Sequence, residues 1–140
     1  MDIENFMIGD WVCLYDSHGK LIGNEKLTKP SFLNALNSNS TIRLEPIRLT
    51  REMFQLNEWK IDGPYMNYKI DGFSTLTYYL HEHRLSCTWK GTDEYNNHAV
   101  VTDENMKIGC LIYVHEFQQA LRLRNLNKMA DNFKIDNEHV

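Results

Sequence analysis

Two histidine motifs have spacing that is close to that of a metal site. His115-Glu116-Phe117-Gln118-Gln119 is one residue short of H-E-x-x-H, in which two imidazoles on one helix face hold zinc and the glutamate activates a water. Gln119 stands in place of the second histidine, and its amide is a poor zinc ligand. On a helical wheel His115 and Gln119 also fall opposite the apolar stripe. The sequence therefore predicts a polar, solvent-facing helix surface here, which is chemically idle.

His81-Glu82-His83 offers a second arrangement. On an extended strand both imidazoles would lie on one side about 7 Å apart, and could bind a divalent metal. A third ligand would have to come from His98 or Asp103. Exposed histidines at a hairpin end are the simpler interpretation. We predict no cofactor, and His81 and His83 are the candidates if a metal is bound.

The candidate nucleophiles lack the surroundings that would activate them. Cys13, Cys87 and Cys110 are far apart and lie in apolar, strand-like stretches, where a cysteine is typically a small buried hydrophobe. No serine lies in a G-x-S-x-G elbow, and no glycine spacing matches a phosphate-binding loop. We predict that the protein is not an enzyme. The alternative is a metal-dependent enzyme that uses His81 and His83, or His115.

Tyrosines are more numerous in the central part of the chain than one buried sheet face can hold. An exposed aromatic patch on a rigid sheet is a typical binding surface, although tyrosine also suits any sheet with one wet face. The candidate binding residues are Tyr65, Tyr68, Tyr78, Tyr79 and Trp89, together with His115, Gln119 and Arg122 from the helix.

The element that must position the helical residues lies near the C-terminus. Residues 106–126 begin with an apolar run suited to a buried strand and continue with apolar residues at helical spacing. A helix over residues 113–126 would bury one stripe containing Val114, Phe117 and Leu121, and would leave His115, Gln118, Gln119 and Arg122 opposite it. Beyond Leu126 the periodicity is lost, which predicts a fraying tail.

The elements that precede this helix are mostly strands. Residues 8–14 and 20–27 predict a hairpin around a turn at 16–19, and residues 30–36 predict one or two helical turns. An edge strand over 42–49, interrupted by Pro46, leads to Thr50, which can cap a helix over 51–59.

The sheet continues through a hairpin in which Asp71-Gly72 joins strands over 65–70 and 73–80. The apolar phase then changes, which requires a turn or bulge at 81–84, and a helix over 74–84 is the competing interpretation. A strand over 98–102 and a turn at 103–105 follow.

Composition excludes several classes of protein. The chain has 140 residues, 42% of them hydrophobic, which suits one globular domain. A net charge of −4 disfavours a general nucleic-acid binder; Arg122, Arg124 and Lys128 are the residues that would serve one. Three separated cysteines predict a reducing cytoplasm, and no apolar run approaches the roughly 18 residues that span a bilayer.

Three segments of the chain form a recognisable set: I-G-D-W-V at residues 8–12, E-P-I-R-L-T-R-E-M-F at 45–54 and Y-V-H-E-F-Q-Q-A-L at 113–121. Together they resemble a family of small uncharacterised proteins from gut bacteria and their mobile elements. The resemblance implies that Tyr113-Val114-His115 joins strand to helix, and it implies no activity. The segment at 27–40 is longer than the family pattern. The I-G-D-W-V opening also resembles small Src-homology-like barrels, so a barrel-like N-terminal part stays open.

Together these observations predict a single α+β domain over residues 1–130. It would hold a mostly antiparallel sheet of roughly five to seven strands, a β subunit at 1–49, one short helix and a C-terminal helix packed on the sheet. Residues 131–140 would form a frayed tail. The predicted function is a non-catalytic, cytoplasmic module that binds a protein partner or itself, with a link to a mobile element or phage.

Overall fold

The fold is α+β, as the sequence predicted. A computed structural model describes residues 6–28, 43–92, 99–105 and 110–135, with the backbone alone for 90–92 and 99–105. These residues form eight strands in two antiparallel sheets, and three short helices. They contain no helix that is both long and apolar enough to cross a membrane.

The chain divides into two compact units, which are described separately below. The first unit comprises residues 1–49 and 112–140, and the second comprises residues 50–111. The assignment of residues 1–130 to one domain stays a prediction.

The first unit contains a three-stranded sheet. Strands β1 (Trp11–Tyr15), β2 (Leu21–Lys26) and β3 (Arg43–Glu45) are arranged in the order β2-β1-β3. The predicted hairpin is confirmed, because the turn at 16–19 joins β1 to β2 and Asp16 Oδ1 accepts hydrogen bonds from the amides of His18 and Lys20. Over the described residues this sheet is open, so the barrel-like alternative is wrong there.

Two helices complete the first unit. They are α2 (Val114–Leu123) and α3 (Asn127–Asp131), which follow helix α1 (Arg51–Leu56) of the second unit in chain order. The Glu116 carboxylate accepts hydrogen bonds from the backbone N–H groups of Ile112 and Tyr113 at 3.1 and 3.0 Å, which caps the start of α2. Apolar side chains of β1 and α2 supply much of the core, including Val12, Leu14, Val114, Phe117 and Leu121.

The second unit contains a five-stranded meander. Its helix α1 (Arg51–Leu56) begins after Thr50, whose hydroxyl accepts a hydrogen bond from Met53 N, as predicted. Strands β4 (Lys60–Asp62), β5 (Tyr65–Lys69), β6 (Ser74–Tyr79), β7 (Arg84–Thr92) and β8 (Ala99–Asn105) follow in chain order across the sheet. The core of this unit is built from Phe54, Trp59, Met66, Leu76, Tyr78 and Leu85.

Several local predictions in the second unit are confirmed, but the helix predicted over 51–59 ends at Leu56 and strand β4 was not predicted. The β5–β6 hairpin is confirmed by the pairing of its two strands. Its loop spans residues 70–73 and is held by Asp71 Oδ1, which accepts hydrogen bonds from Phe73 N and Ser74 N. Residues 74–79 form a strand, so the competing helix is wrong. The predicted turn at 81–84 separates β6 from β7. Residues 103–105, predicted as a turn, continue strand β8.

Some boundaries near the C-terminus differ from the predictions. The strand predicted at the start of 106–126 is absent from residues 110–112, and a single bridge pairs Tyr113 with Arg48. Helix α2 ends at Leu123, and α3 follows where a fraying tail was predicted. Phe133 and Ile135 are buried at 2% and 6% exposure, so the tail predicted over 131–140 is wrong for residues 131–135, and the rest of it lies outside the described residues. The helical turns predicted over 30–36 lie outside the described residues.

Candidate functional site

The central strands of the second unit present a polar face, which we call the tyrosine face. The register aligns Tyr65 with Tyr79 and Arg84, Asn67 with Thr77 and Ser86, and Lys69 with Thr75 and Thr88. Alternate residues of these strands, including Met66, Leu76, Tyr78 and Leu85, lie on the opposite, buried side. The tyrosine face is defined by Tyr65, Asn67, Lys69, Thr75, Thr77, Tyr79, Arg84, Ser86 and Thr88.

An aromatic row crosses the tyrosine face. The rings of Tyr65 and Tyr79 are stacked with centroids 4.8 Å apart and planes 18° from parallel. Their separation equals the roughly 4.8 Å spacing of neighbouring strands, so the rings stand upright with their faces toward each other. The Arg84 guanidinium lies 6.0 Å from the Tyr79 centroid and pairs with Glu82 at 3.1 Å. The row therefore presents hydroxyl groups and ring edges outward.

A polar row lies beside the aromatic one. Thr77 Oγ1 donates to Asn67 Oδ1 at 2.8 Å, and Ser86 Oγ donates to the Thr77 carbonyl at 3.5 Å. These bonds fix short side chains that lose little rotamer freedom when a partner arrives. The surface is thus hydrogen-bonding and half-exposed, with several side chains already held by internal contacts.

Three aromatic candidates do not belong to this face. Tyr78 is fully buried, and its hydroxyl donates to the Leu111 carbonyl at 2.6 Å, so its predicted role in binding is replaced by a role in the core. Tyr68 is half-buried, with its ring 5.4 Å from that of Trp59. Trp89 is 40% exposed, but it lies on the same side of strand β7 as buried Leu85, which is opposite to the tyrosine face. Of the five aromatic candidates, the register brings only Tyr65 and Tyr79 together on the tyrosine face.

The two histidines of the H-x-H motif do not converge. They lie in the turn between β6 and β7, where His83 has a left-handed backbone with φ 51°, so the extended geometry assumed for metal binding is wrong. His83 Nδ1 is 3.2 Å from the buried Tyr78 hydroxyl, whereas the His81 ring lies against Tyr79 on the other side of the sheet. Among the residues that the structure describes, no three His, Cys, Asp or Glu side chains cluster in a way that could hold a metal. His98 lies outside them.

The helix prediction for His115 and Gln118 is wrong. His115 is only 2% exposed, with its ring 4.6 Å from Phe6 and 6.0 Å from Tyr113. Gln118 is fully buried: its Oε1 accepts from Trp11 N at 2.9 Å, and its Nε2 donates to the Gly9 and Ala130 carbonyls. The N-terminal turn and the segment after α2 cover the side of the helix that the wheel assigned to solvent.

A buried carboxylate explains the polar residues of α2. Asp10 is fully buried and accepts hydrogen bonds from Met7 N and Gln119 Nε2 at 2.8 Å each, and from the Arg122 guanidinium at 2.5 Å. Arg122 also lies 3.5 Å from Asp131. Gln119 and Arg122, predicted as binding residues, therefore take part in internal contacts. We call this set the Asp10 network.

The residue before Asp10 fits the same arrangement. Gly9 has φ +94°, and a Cβ there would lie 3.1 Å from the Arg122 guanidinium. Trp11 Nε1 donates to the Phe133 carbonyl at 2.7 Å, which ties the C-terminal segment to the same turn. The I-G-D-W-V and Y-V-H-E-F-Q-Q segments thus meet in one buried network. This pairing was not predicted from the sequence, although its two halves were visible there: Asp10 within an apolar run, and Gln118, Gln119 and Arg122 on one helix face.

The cysteines show no sign of activation. Burial raises the pKa of the Cys13 thiol, a hydrogen bond with Tyr15 lowers it, and the nearby Glu45 carboxylate raises it. The net effect is a raised pKa, so Cys13 remains a protonated thiol at neutral pH. Cys87 is half-buried, and Cys110 is exposed outside any strand, which corrects the prediction that each cysteine is a buried strand residue.

Comparison with known proteins identifies no relative: no family model, no curated protein and no solved structure matches the chain. The resemblance to small mobile-element proteins therefore stays a prediction.

Proposed function

We propose that this protein is a non-catalytic module that binds a protein partner through the tyrosine face. The observation that carries the proposal is the rigid row of Tyr65, Tyr79 and Arg84, which is solvent-accessible although the opposite side of the same strands is buried. Tyrosine and arginine are the residue types enriched at the energetic centres of protein interfaces.

The composition of the face suits a protein partner. Tyr65 is 44% exposed, which leaves a large amphipathic side chain available for contact. Short hydroxyl and amide side chains surround the aromatic row and can exchange hydrogen bonds with a partner backbone. Because stacking and hydrogen bonds already hold these side chains, little conformational entropy is lost when they are covered.

Single-stranded nucleic acid fits the face less well. Bases stack on aromatic rings that lie flat and open, as on many sheet surfaces that bind RNA. Here the Tyr65 and Tyr79 rings face each other, and Arg84 lies over Tyr79. The net charge of −4 adds repulsion of phosphates.

Site-specific photo-crosslinking in the native host tests the proposal. A photoreactive phenylalanine derivative is placed at Thr75 on the tyrosine face, and as a control at Lys128, an exposed position on α3. We expect a discrete protein adduct from position 75 and none of the same mass from position 128. The identity of the adduct distinguishes a second copy of the chain from a different protein, and tests the link to a mobile element or phage.

A matched pair of variants gives the test its specificity. Tyr65→Ser combined with Tyr79→Ser removes the aromatic row, so the adduct at position 75 should disappear. Absence of any discrete adduct from position 75, or an adduct that persists without the two tyrosines, overturns the proposal.

A further inference from the structure

A second surface feature lies in the first unit and is separate from the tyrosine face. A pocket of about 240 Å³ opens on the less buried side of the three-stranded sheet. Cys13 of the central strand pairs in register with Asn24 on one side and Glu45 on the other, so these three side chains share this side of the sheet. Tyr15 adds a hydroxyl, and Leu21 and Ile47 supply apolar walls.

The polar lining of the pocket is rich in hydrogen-bond acceptors. Glu45 contributes a carboxylate, and Asn24 and Tyr15 contribute an amide oxygen and a phenol oxygen. Arg43 Nε pairs with Glu45 Oε1 at 2.9 Å, which leaves Oε2 available to a ligand as far as the described residues extend. The Arg43 guanidinium itself lies over the Tyr15 ring, 5.1 Å from its centroid.

Glu45 contributes a negative charge to this pocket. Burial is the largest cause of the raised pKa of the Cys13 thiol, and the hydrogen bond with Cys13 is the largest cause of the raised pKa of the Tyr15 hydroxyl. The Glu45 carboxylate adds a smaller rise to the pKa of both groups, and at Tyr15 this rise exceeds the lowering caused by Arg43. A negative potential at both groups favours a cation over an anion.

We infer that the pocket binds a small alkylammonium group, with the ammonium near Glu45, Asn24 and Tyr15 and the alkyl chain against Leu21 and Ile47. An ammonium has three donors and no acceptor, so it can donate to the Glu45 carboxylate, the Asn24 amide oxygen and the Tyr15 phenol oxygen. A free amine and a lysine side chain of a peptide present the same chemistry. A ligand with so few atoms binds with a dissociation constant on the order of 1 mM.

Titration followed by backbone amide NMR tests this inference on the full chain. The probes are n-butylammonium chloride, sodium butyrate and butan-1-ol, which share a chain length and differ in charge. We expect saturable shifts at Cys13, Asn24 and Glu45 with the ammonium and none with the other two. Nα-acetyl-lysine methylamide is the fourth probe: saturable binding by either amine supports the site, and the tighter one indicates its natural source.

Two matched variants assign the effect to the pocket. Glu45→Gln should weaken butylammonium binding at least about tenfold, the factor that corresponds to loss of a charged hydrogen bond. Glu25→Gln removes the same charge from an exposed position of β2 outside the pocket lining and should leave affinity unchanged.

Three results would overturn the inference. They are the absence of saturable shifts with either amine, equal shifts with butyrate or butanol, and equal weakening by the two glutamate variants. The probe series uses the unaltered chain, so it decides the matter even if a variant fails to fold. Success or failure of this test leaves the proposal for the tyrosine face unchanged, because the pocket and that face lie in different units.

Discussion

Replacing Asp10 by asparagine should destabilise the first unit strongly. The carboxylate has no solvent exposure and accepts three hydrogen bonds, from Met7 N, Gln119 Nε2 and the Arg122 guanidinium. Asparagine has nearly the same shape, but one of its two terminal groups is a donor. In any orientation that group faces a donor, and the Arg122 side chain, only 16% exposed, loses its buried counter-charge.

The cost can be worked from these contacts. Breaking a buried ion pair by removing one partner costs about 3–5 kcal/mol, and an amide oxygen that still accepts one or two bonds recovers part of this. We therefore expect a loss of about 3 kcal/mol in the free energy of unfolding. In a chain of this size that lowers the melting temperature by about 8 °C.

Urea unfolding measures this change. The transition is followed by NMR through the amide signals of the first unit and the Trp11 indole N–H, whose hydrogen bond to the Phe133 carbonyl reports closure of the C-terminal segment. Asp131→Asn is the matched control, because Asp131 also lies beside Arg122 but is 62% exposed. It should cost less than about 0.5 kcal/mol. Equal losses for Asp10→Asn and Asp131→Asn would refute the assignment of a stabilising role to the Asp10 network.

Three further outcomes follow from single contacts. Tyr78→Phe leaves the buried Leu111 carbonyl without its hydroxyl donor, so the free energy of unfolding of the second unit, measured in urea, should fall by about 1–2 kcal/mol. No loss would show that this hydrogen bond is not stabilising. Because burial raises its pKa, Cys13 should react with iodoacetamide at pH 7 at least about tenfold more slowly than exposed Cys110, and its rate should increase as the pH rises. Peptide mass spectrometry measures both rates. A Cys13 that reacts faster than Cys110 would contradict this expectation. Thr50→Ala removes the hydrogen bond that caps α1, which is long at 3.4 Å, and should lower the free energy of unfolding by about 0.5–1 kcal/mol. Urea unfolding followed by circular dichroism measures this loss, and no loss would contradict the role of the cap.

Features that depend on neighbouring residues were predictable from the sequence. The Thr50 cap, the hairpin around Asp71-Gly72 and the phase change at 81–84 all rest on interactions within a few positions. Because the turn at 81–84 absorbs this phase change, Leu76, Tyr78, Leu85 and Cys87 lie on one side of the sheet.

Features that depend on distant segments were not predictable in the same way. A helical wheel assumes that polar residues face water, and it assigned His115 and Gln118 to solvent on that basis. In the structure Phe6 covers His115, and Gly9, Trp11 and Ala130 bond to Gln118. Most of these contacts join residues more than 100 positions apart, and local periodicity contains no information about them.

The candidate site could be predicted from the sequence only in part. A surplus of tyrosines predicted that some would be exposed, but not which ones. Tyr78 and Tyr79 are adjacent and lie on opposite sides of β6, so the pairing of Tyr79 with Tyr65 depends on strand register. The two histidines of the H-x-H motif are separated for a different reason: they lie in a turn in which His83 has a left-handed backbone, so the metal geometry that their spacing suggested is lost.

We propose that the tyrosine face binds a partner, whereas the residues of the Asp10 network stabilise the fold. The direct test compares photo-crosslinking from Thr75 in the Tyr65→Ser, Tyr79→Ser variant with that in the Gln119→Ala variant. Each tyrosine at an interface centre contributes about 2 kcal/mol or more, so loss of both should reduce partner affinity at least about 100-fold and abolish the adduct. Loss of Gln119 should lower stability and leave the adduct intact in the folded protein. An adduct that survives without the two tyrosines, or one that is lost from folded Gln119→Ala protein, would contradict the proposal.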